Sequence, residues 1–313
     1  MNRVVRATAP GKIILFGEHA VVYGEPAIAV PVRQVRATAT LEPAALGAGL
    51  TIVASDLDRT FAFVTAPVED PLATTVRLTL EHLGAPPPDA KLTLRSSIPI
   101  ASGMGSGAAV STAIVRALGK YLGAELSPAT VSGLVFEVEK LHHGTPSGID
   151  NTVVAFNMPV YYKKDAPVET FAVGASFMML IGDTGVPSRT RIAVSDVRRA
   201  WESKPARYER LFRGIGRLVD EARYVIESGG PAEMLGQLMD NNHNLLREMG
   251  VSSPQLERLV VAARRAGALG AKLSGAGRGG NMIALIASTD KGRIGRVLRR
   301  NGAKRVIEML LAP

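Results

Sequence analysis

Hydrophobic and polar positions change period several times along the chain. Residues 3–9 alternate as a strand does, Pro10-Gly11 interrupts them, and Lys12–Phe16 resumes as a short apolar strand before a turn at Gly17-Glu18-His19. Ala27–Val32 is a second β-like run, and Val35–Leu41 alternates again. Thr51–Val53 and Phe61–Val64 predict a hairpin around Asp56–Arg59. The period then turns helical over Val76–Leu83, which stops at Gly84, and over Gly107–Leu122, which stops at Gly123; Leu92–Ser96 between them reads as a strand. Ser127-Pro128 pairs an N-cap with a proline at the first helical position and predicts a helix to about His142. Val153–Tyr162 and Thr170–Ile181 read as strands. Three or four helices follow between about 188 and 266, the last opened by Ser253-Pro254. Ala268–Leu273 and Met282–Ile286 predict strands, Asp290–Arg300 a short helix and Arg305–Leu311 a final strand. Strands and helices mixed without a regular βαβ alternation predict an α+β fold. Lys163–Pro167 interrupts two apolar runs, which sets the expected boundary between domains at 1–166 and 167–313.

Composition narrows the class. The chain of 313 residues is 46% hydrophobic, enough apolar mass for a sizeable core, and its length suggests about two domains. No apolar run approaches the roughly 18 residues of a membrane span, and residues 1–16 read as strand then loop rather than as a secretory leader. The absence of cysteine excludes disulfides, thiolate catalysis and cysteine-ligated zinc, and is compatible with a cytoplasmic location. A formal net charge of +9 suits either an anionic metabolite or a nucleic acid. The cations thicken over 189–223 and 291–305, a distribution that reads as solvated helix faces. No nucleic-acid partner and no membrane partner are therefore expected.

Four polar segments stand out between the apolar runs. In Ile98–Ala109 three glycines alternate with small or flexible residues, and a helix begins at once. Glycines let backbone N–H groups approach a phosphate, and a helix start adds unpaired donors with about half a positive charge. The spacing is neither a Walker loop nor the dinucleotide fingerprint, and glycines placed for tight packing leave the same signature. In Glu139–Asn151 a helix should end at His143-Gly144, after which a Pro-Ser-Gly turn presents Asp150. Two carboxylates so placed can divide the work, one binding a cation and the other orienting or deprotonating a hydroxyl. A turn-forming Asp150 and a surface Glu139 are the structural alternative. His142 and His143 point about 100° apart on a helix and make poor zinc co-ligands. In Ala9–Gly24, Lys12 either snorkels or is held beside an anion, while Glu18 and His19 sit on a turn suited to a polar substrate. Lys272–Gly280 carries four glycines between two strands, either as a second phosphate-packing loop or as a flexible hairpin.

Together, in this order and spacing, the segments resemble the GHMP family of small-molecule kinases over nearly the whole chain. Pro10-Gly11-Lys12, Gly17–Val22, His143–Asn151, Asp183–Thr190 and Asn242–Leu246 are most similar to the branch that phosphorylates mevalonate. The resemblance implies an α+β GHMP kinase fold of two domains. The N-terminal domain would be like domain two of ribosomal protein S5 and carry the ATP phosphate loop; the C-terminal domain would be ferredoxin-like. It further implies ATP and Mg²⁺, mevalonate as the substrate, and a homodimer. By the same match Asp150 would accept the proton of the substrate hydroxyl, with Lys12 beside it. Pro99, Ala101, Ser102, Gly103, Met104, Gly105, Ser106, Gly107 and Ala108 would surround the ATP phosphates. Glu139 and Ser106 would hold the metal, and Glu18, His19, Ser147, Gly148, Ser274 and Gly275 would meet the substrate. Two departures stand out. Gly107 occupies the place of a serine that usually donates to the metal, leaving Ser106, water or Ser111 as substitutes. Arg278 stands where the final loop usually has glycine, which implies an extra cation near the site. A relative acting on phosphomevalonate or another alcohol is the alternative enzyme. A non-catalytic ligand- or RNA-binding protein of the same fold is the alternative of a different class.

Overall fold

The computed structural model describes residues 3–99, 102–143, 146–167, 169–188 and 190–313. Ala101, expected in the phosphate loop, lies outside the described residues, as do the side chains of His142 and His143. In chain order come β1 (Val5–Phe16), β2 (Ala27–Pro43), β3 (Leu50–Ala54), β4 (Arg59–Ala62), α1 (Pro71–Leu83), β5 (Ala90–Ser96), α2 (Ser106–Tyr121), α3 (Pro128–His143), α4 (Ile149–Phe156), β6 (Val160–Tyr162) and β7 (Glu169–Thr170). Then follow β8 (Phe177–Asp183), α5 (Thr190–Ser203), α6 (Pro205–Ser228), α7 (Ala232–Glu248), α8 (Pro254–Arg265), β9 (Gly270–Ser274), β10 (Asn281–Ile286), α9 (Lys291–Arg300) and β11 (Arg305–Leu311). The fold is α+β. Its two compact units interleave along the chain. One comprises Met1–Lys12, Pro31–Pro99 and Gly105–Asn157; the other comprises Ile13–Val30, Ile100–Met104 and Met158–Pro313.

In the first unit the strands lie in the order β4-β3-β5-β2. β3 is antiparallel to β4, as the hairpin around Asp56–Arg59 predicts, and parallel to β5. β5 runs antiparallel to β2, with Leu94 opposite Ala39. Their alternation sends Ala37, Ala39, Leu41, Leu92 and Leu94 inward. Helices α1 to α4 pack on one another. Full burial of each large aliphatic side chain contributes roughly 1.5–3 kcal/mol. Asp70 caps α1 by accepting the N–H groups of Leu72 and Ala73, both at 3.0 Å, Pro71 takes the first position, and left-handed Gly84 ends the helix. Ser127 caps α3 through the Thr130 N–H at 3.0 Å.

Three expectations are corrected. Pro10-Gly11 does not break β1, which runs through from Val5 to Phe16. Among the described residues β1 pairs with β2 alone, and a strand with one neighbour tolerates a proline. Val153–Tyr162 is not one strand, because its first half is the end of α4. Gly148, at φ 85°, admits the turn into that helix, the Thr152 hydroxyl donates to Gly148 O at 2.6 Å, and left-handed Asn157 stops it. An unbroken apolar run fits a buried helix as well as a strand. Thr170–Ile181 divides into β7 and β8, since the Gly174 N–H leaves the ladder to donate to Ile226 O at 2.8 Å.

The second unit is built on an antiparallel sheet in the order β11-β8-β10-β9. Every residue of β10 is buried, and so is nearly all of β8. α7 and α8 pack against β9, and α9 against β11. α6 turns Leu211, Ile215, Val219, Ala222 and Ile226 inward at helical spacing. The first residues of β2 pair with β6, Ile28 opposite Tyr161. No helix among the described residues is long and apolar enough to cross a membrane.

Candidate active site

Asp150 stands in the first turn of α4, behind Ser147 and Gly148, and the Ser147 hydroxyl accepts the Ile149 N–H at 3.4 Å. Lys12 comes from β1. Its Nζ lies 2.8 Å from Asp150 Oδ1, with the lysine side chain 6% exposed and the aspartate 34%. The carboxylate thus reaches solvent while its cation lies beneath it. Of the two readings of Lys12, the lysine held beside an anion is the one observed. Gly105 is what lets the pair come close to the loop. Its φ is 67°, and an added Cβ would fall 2.9 Å from Lys12 Cγ and 3.5 Å from Asp150 Oδ2. Both the backbone and the close approach demand glycine.

α2 opens at Ser106, directly after Gly105, with no side chain capping it and no acid in its first turn. Its first N–H groups and the positive end of its dipole favour an anion there. Ser106 is half-buried, Gly107 exposed and Ala108 buried, while Pro99 is half-buried ahead of the loop. A Cβ on Gly107 would lie 3.2 Å from Glu139 Oε1, tighter than ordinary contact. The glycine that replaces the usual serine therefore makes room for this carboxylate at the helix start. Glu139, on α3, is 7% exposed. Burial, then the nearby charge of Asp150, push its carboxyl up to about 7 against the opposing pull of Lys12.

Two carboxylates and a buried lysine leave room for a further cation. Hard oxygen donors suit Mg²⁺, which takes one or two carboxylates and completes its shell with phosphate and water. Among the described residues no group of three or more acids or histidines converges as a metal cage. Glu139 with phosphate oxygens is thus the donor set that fits. Ser111 is removed as a substitute donor, because its hydroxyl lies buried 3.1 Å from that of Thr75, between α1 and α2.

The other expected residues belong to the second unit. Ser102 and Met104 are buried and Gly103 is exposed; Ser102 O accepts the Asn281 side-chain amide at 2.8 Å. Glu18, expected on a substrate-facing turn, has its carboxylate turned inward to an ion pair with Lys272, and both side chains are fully buried. Burial pushes the Glu18 carboxyl up and the Lys272 ammonium down, while each favours the charge of the other. His19 Nε2 lies 2.9 Å from Ala276 O, so it carries the proton and leaves Nδ1 as an acceptor. Burial lowers this imidazole to about 4, so it is neutral near pH 7. The Ser274 hydroxyl donates to Ile14 O at 2.7 Å, and Gly275 has φ 83° with open space above it. Arg278 adopts φ 58° and pairs with Asp196 on α5, which already engages the extra cation. Lys272 is the residue that sequence reasoning passed over. The available signal was a lysine inside Ala268–Leu273, a run that reads as a strand, with Ala271 and Leu273 on either side of it.

Comparison with known proteins extends this picture. The family model for the GHMP kinases N terminal domain matches residues 71–158, and that for the GHMP kinases C terminal region matches 222–304. The mevalonate kinase of Pyrococcus abyssi is 39% identical over 303 residues, covering 91% of this chain and 89% of the relative. That of Pyrococcus horikoshii is 38% identical over 304 residues, with 91% and 89% covered. The crystal structure of L. major mevalonate kinase in complex with R-mevalonate superposes with a TM-score of 0.85 at 31% identity, covering 98% of this chain and 96% of that one.

Proposed function

The chain belongs to the GHMP kinase family, and from that premise we propose that it transfers the terminal phosphoryl group of ATP to the 5-hydroxyl of mevalonate, releasing ADP and 5-phosphomevalonate. The observation that carries the chemistry is the Lys12–Asp150 pair at 2.8 Å beneath Gly105. Asp150 accepts the proton of the attacking hydroxyl, and Lys12 stabilises the oxygen that loses it. The loop through Gly105 and the start of α2 bind the phosphates. Phosphoryl transfer depends on in-line placement and charge neutralisation more than on a strong nucleophile, and that is what these groups supply. Mg²⁺ on Glu139, with Ser106 at the helix start, would neutralise the charge between phosphates. Neutral His19 offers Nδ1 to a substrate hydroxyl, with Ser147, Gly148 and Gly275 as further substrate-side positions. Mevalonate is supported by the identity to mevalonate kinases over nine-tenths of the chain. Family domains at 1–166 and 167–313, a homodimer and a cytoplasmic location belong to the same proposal, and analytical ultracentrifugation checks the dimer.

A coupled assay of ADP release over a panel of mevalonate, 5-phosphomevalonate, homoserine and galactose tests the reading. Mevalonate should turn over well above the rest. Turnover of phosphomevalonate with none of mevalonate would replace the assigned substrate. Asp150→Asn should lower kcat by about 10²–10⁴-fold while leaving ATP affinity within about twofold. Wild-type turnover in that variant would remove Asp150 from its role.

A further inference from the structure

The turn at Gly17–Ala20 carries a backbone geometry that a side-chain-bearing residue seldom adopts. The Ala20 N–H donates to Glu18 O at 2.7 Å, closing a three-residue ring centred on His19. His19 sits at φ 61° and ψ −46°. This is a γ-turn of the rarer, positive-φ kind, strained for any residue with a Cβ. Such a conformation persists only where its surroundings over-determine it. Gly17 supplies one constraint: at φ 96°, an added Cβ there would lie 2.5 Å from Ala27 Cα and Pro26 O, so this backbone is pressed directly on its neighbour. His19 supplies another through its bond to Ala276 O.

The residue immediately before the strained one supplies the third. Glu18 reaches Lys272 Nζ across 254 positions of sequence, and Lys272 also donates to Leu273 O at 2.8 Å. Lys272 lies on β9, the strand that leads into the 275–280 loop, and that loop bears Ala276. One segment therefore tethers the turn twice, through the side chains of two consecutive residues. A buried ion pair is weak evidence for stability, because well-packed apolar groups of the same volume serve as well or better. Here Glu18 Oε2 is buried without a hydrogen-bond partner among the described residues, so the pair is not even fully satisfied. Its location, one residue from an imposed backbone outlier, gives it a different use.

We infer that the buried Glu18–Lys272 ion pair is a positioning device that holds the strained turn at His19 and thereby aims the His19 ring at the substrate. Lys272 becomes a positioning residue, acting through Glu18. The inference rests on the assignment of His19 to the mevalonate side.

The test uses Glu18→Gln, Lys272→Met and the double variant in the full chain. Each single variant leaves one buried charge unpaired and should lose stability. The double variant removes both charges and should regain a thermal midpoint near that of the wild type. Loss of stability alone reduces the amount of folded enzyme and leaves KM unchanged. The positioning role instead raises KM for mevalonate by about tenfold or more in the double variant, with KM for ATP within about twofold. A double variant with restored stability and a wild-type KM for mevalonate would overturn the inference. Hydrogen exchange provides an arm that needs no substrate. Amides in a peptide covering 17–24 should exchange about tenfold faster or more in the double variant, with the rest of the second unit unchanged. Wild-type exchange there would overturn the inference as well. A wild-type enzyme that fails to turn over mevalonate would sink the proposed reaction alone, and the exchange arm would still decide the role of the pair.

Discussion

Glu139 is held between two neighbours of opposite sign, and burial together with Asp150 outweighs Lys12, leaving its carboxyl at about 7 instead of 4.5. The folded chain thus keeps a proton that the unfolded chain releases. The stability this group contributes is fully present below pH 4.5 and is lost as the pH rises through about 7. A divalent cation needs the carboxylate, so its binding must release that proton. We expect Mg²⁺ affinity to rise roughly tenfold per pH unit below about 7 and then level off, while Glu139→Gln flattens the profile. Calorimetric titration at three pH values from about 6 to 8 checks both. At Gly105 the expectation concerns space. Gly105→Ala places a methyl group 2.9 Å from Lys12 Cγ in a left-handed backbone. Displacing Lys12 by about 1 Å should lower kcat about 100-fold, and the backbone strain should remove roughly 1–2 kcal/mol of stability. Single-turnover rates and a urea midpoint separate the two effects.

The elements were legible in the sequence where two signals agreed. α3 announced itself by helical spacing together with Ser127-Pro128 at its start, α1 by helical spacing and Gly84 at its end, though its first turns from Pro71 went unread, and the β3–β4 hairpin by apolar runs on either side of a polar turn. Over Val153–Tyr162 a single signal stood alone and misled. Val153–Phe156 is apolar throughout, and what decides for a helix is Gly148 before it and Asn157 after it, each in a left-handed backbone. Lys12, Glu139 and Asp150 could be listed from residue type and turn chemistry. Their convergence depends on contacts between β1, α3 and α4 that no local pattern encodes. Lys272 was hidden for a related reason: a lysine reads as surface until its buried carboxylate partner, far off in sequence, is known. Capping offers a test of elements that spares the chemistry. Asp70→Ala removes the Oδ1 that accepts two N–H groups and strips Arg59 of its partner at 2.6 Å. It should cost about 1–2 kcal/mol in a urea unfolding curve and leave KM for ATP and mevalonate within about twofold.

At the scale of the whole molecule, a net charge of +9 meets a nucleotide of opposite sign. If the charge assists encounter, kcat/KM for ATP should fall severalfold as NaCl rises from about 0.05 to 0.5 M, with kcat changing much less. Steady-state kinetics at five salt concentrations reads this directly. An RNA-binding protein of this fold would instead show a steep salt dependence of RNA affinity and no ATP turnover. The interleaving of the two compact units has a consequence in time. As the chain leaves the ribosome, every segment of the unit ending at Asn157 is in hand once that residue has emerged. Residues 13–30 have no such completion. The turn containing His19 must wait until Lys272 and Ala276 are synthesised, some 250 positions later. Until then Glu18 lacks its buried partner and His19 the carbonyl it donates to. A strand made late, β9, therefore matures the first loop made, and a chain halted before Lys272 would hold every segment of the first unit without a finished turn at His19.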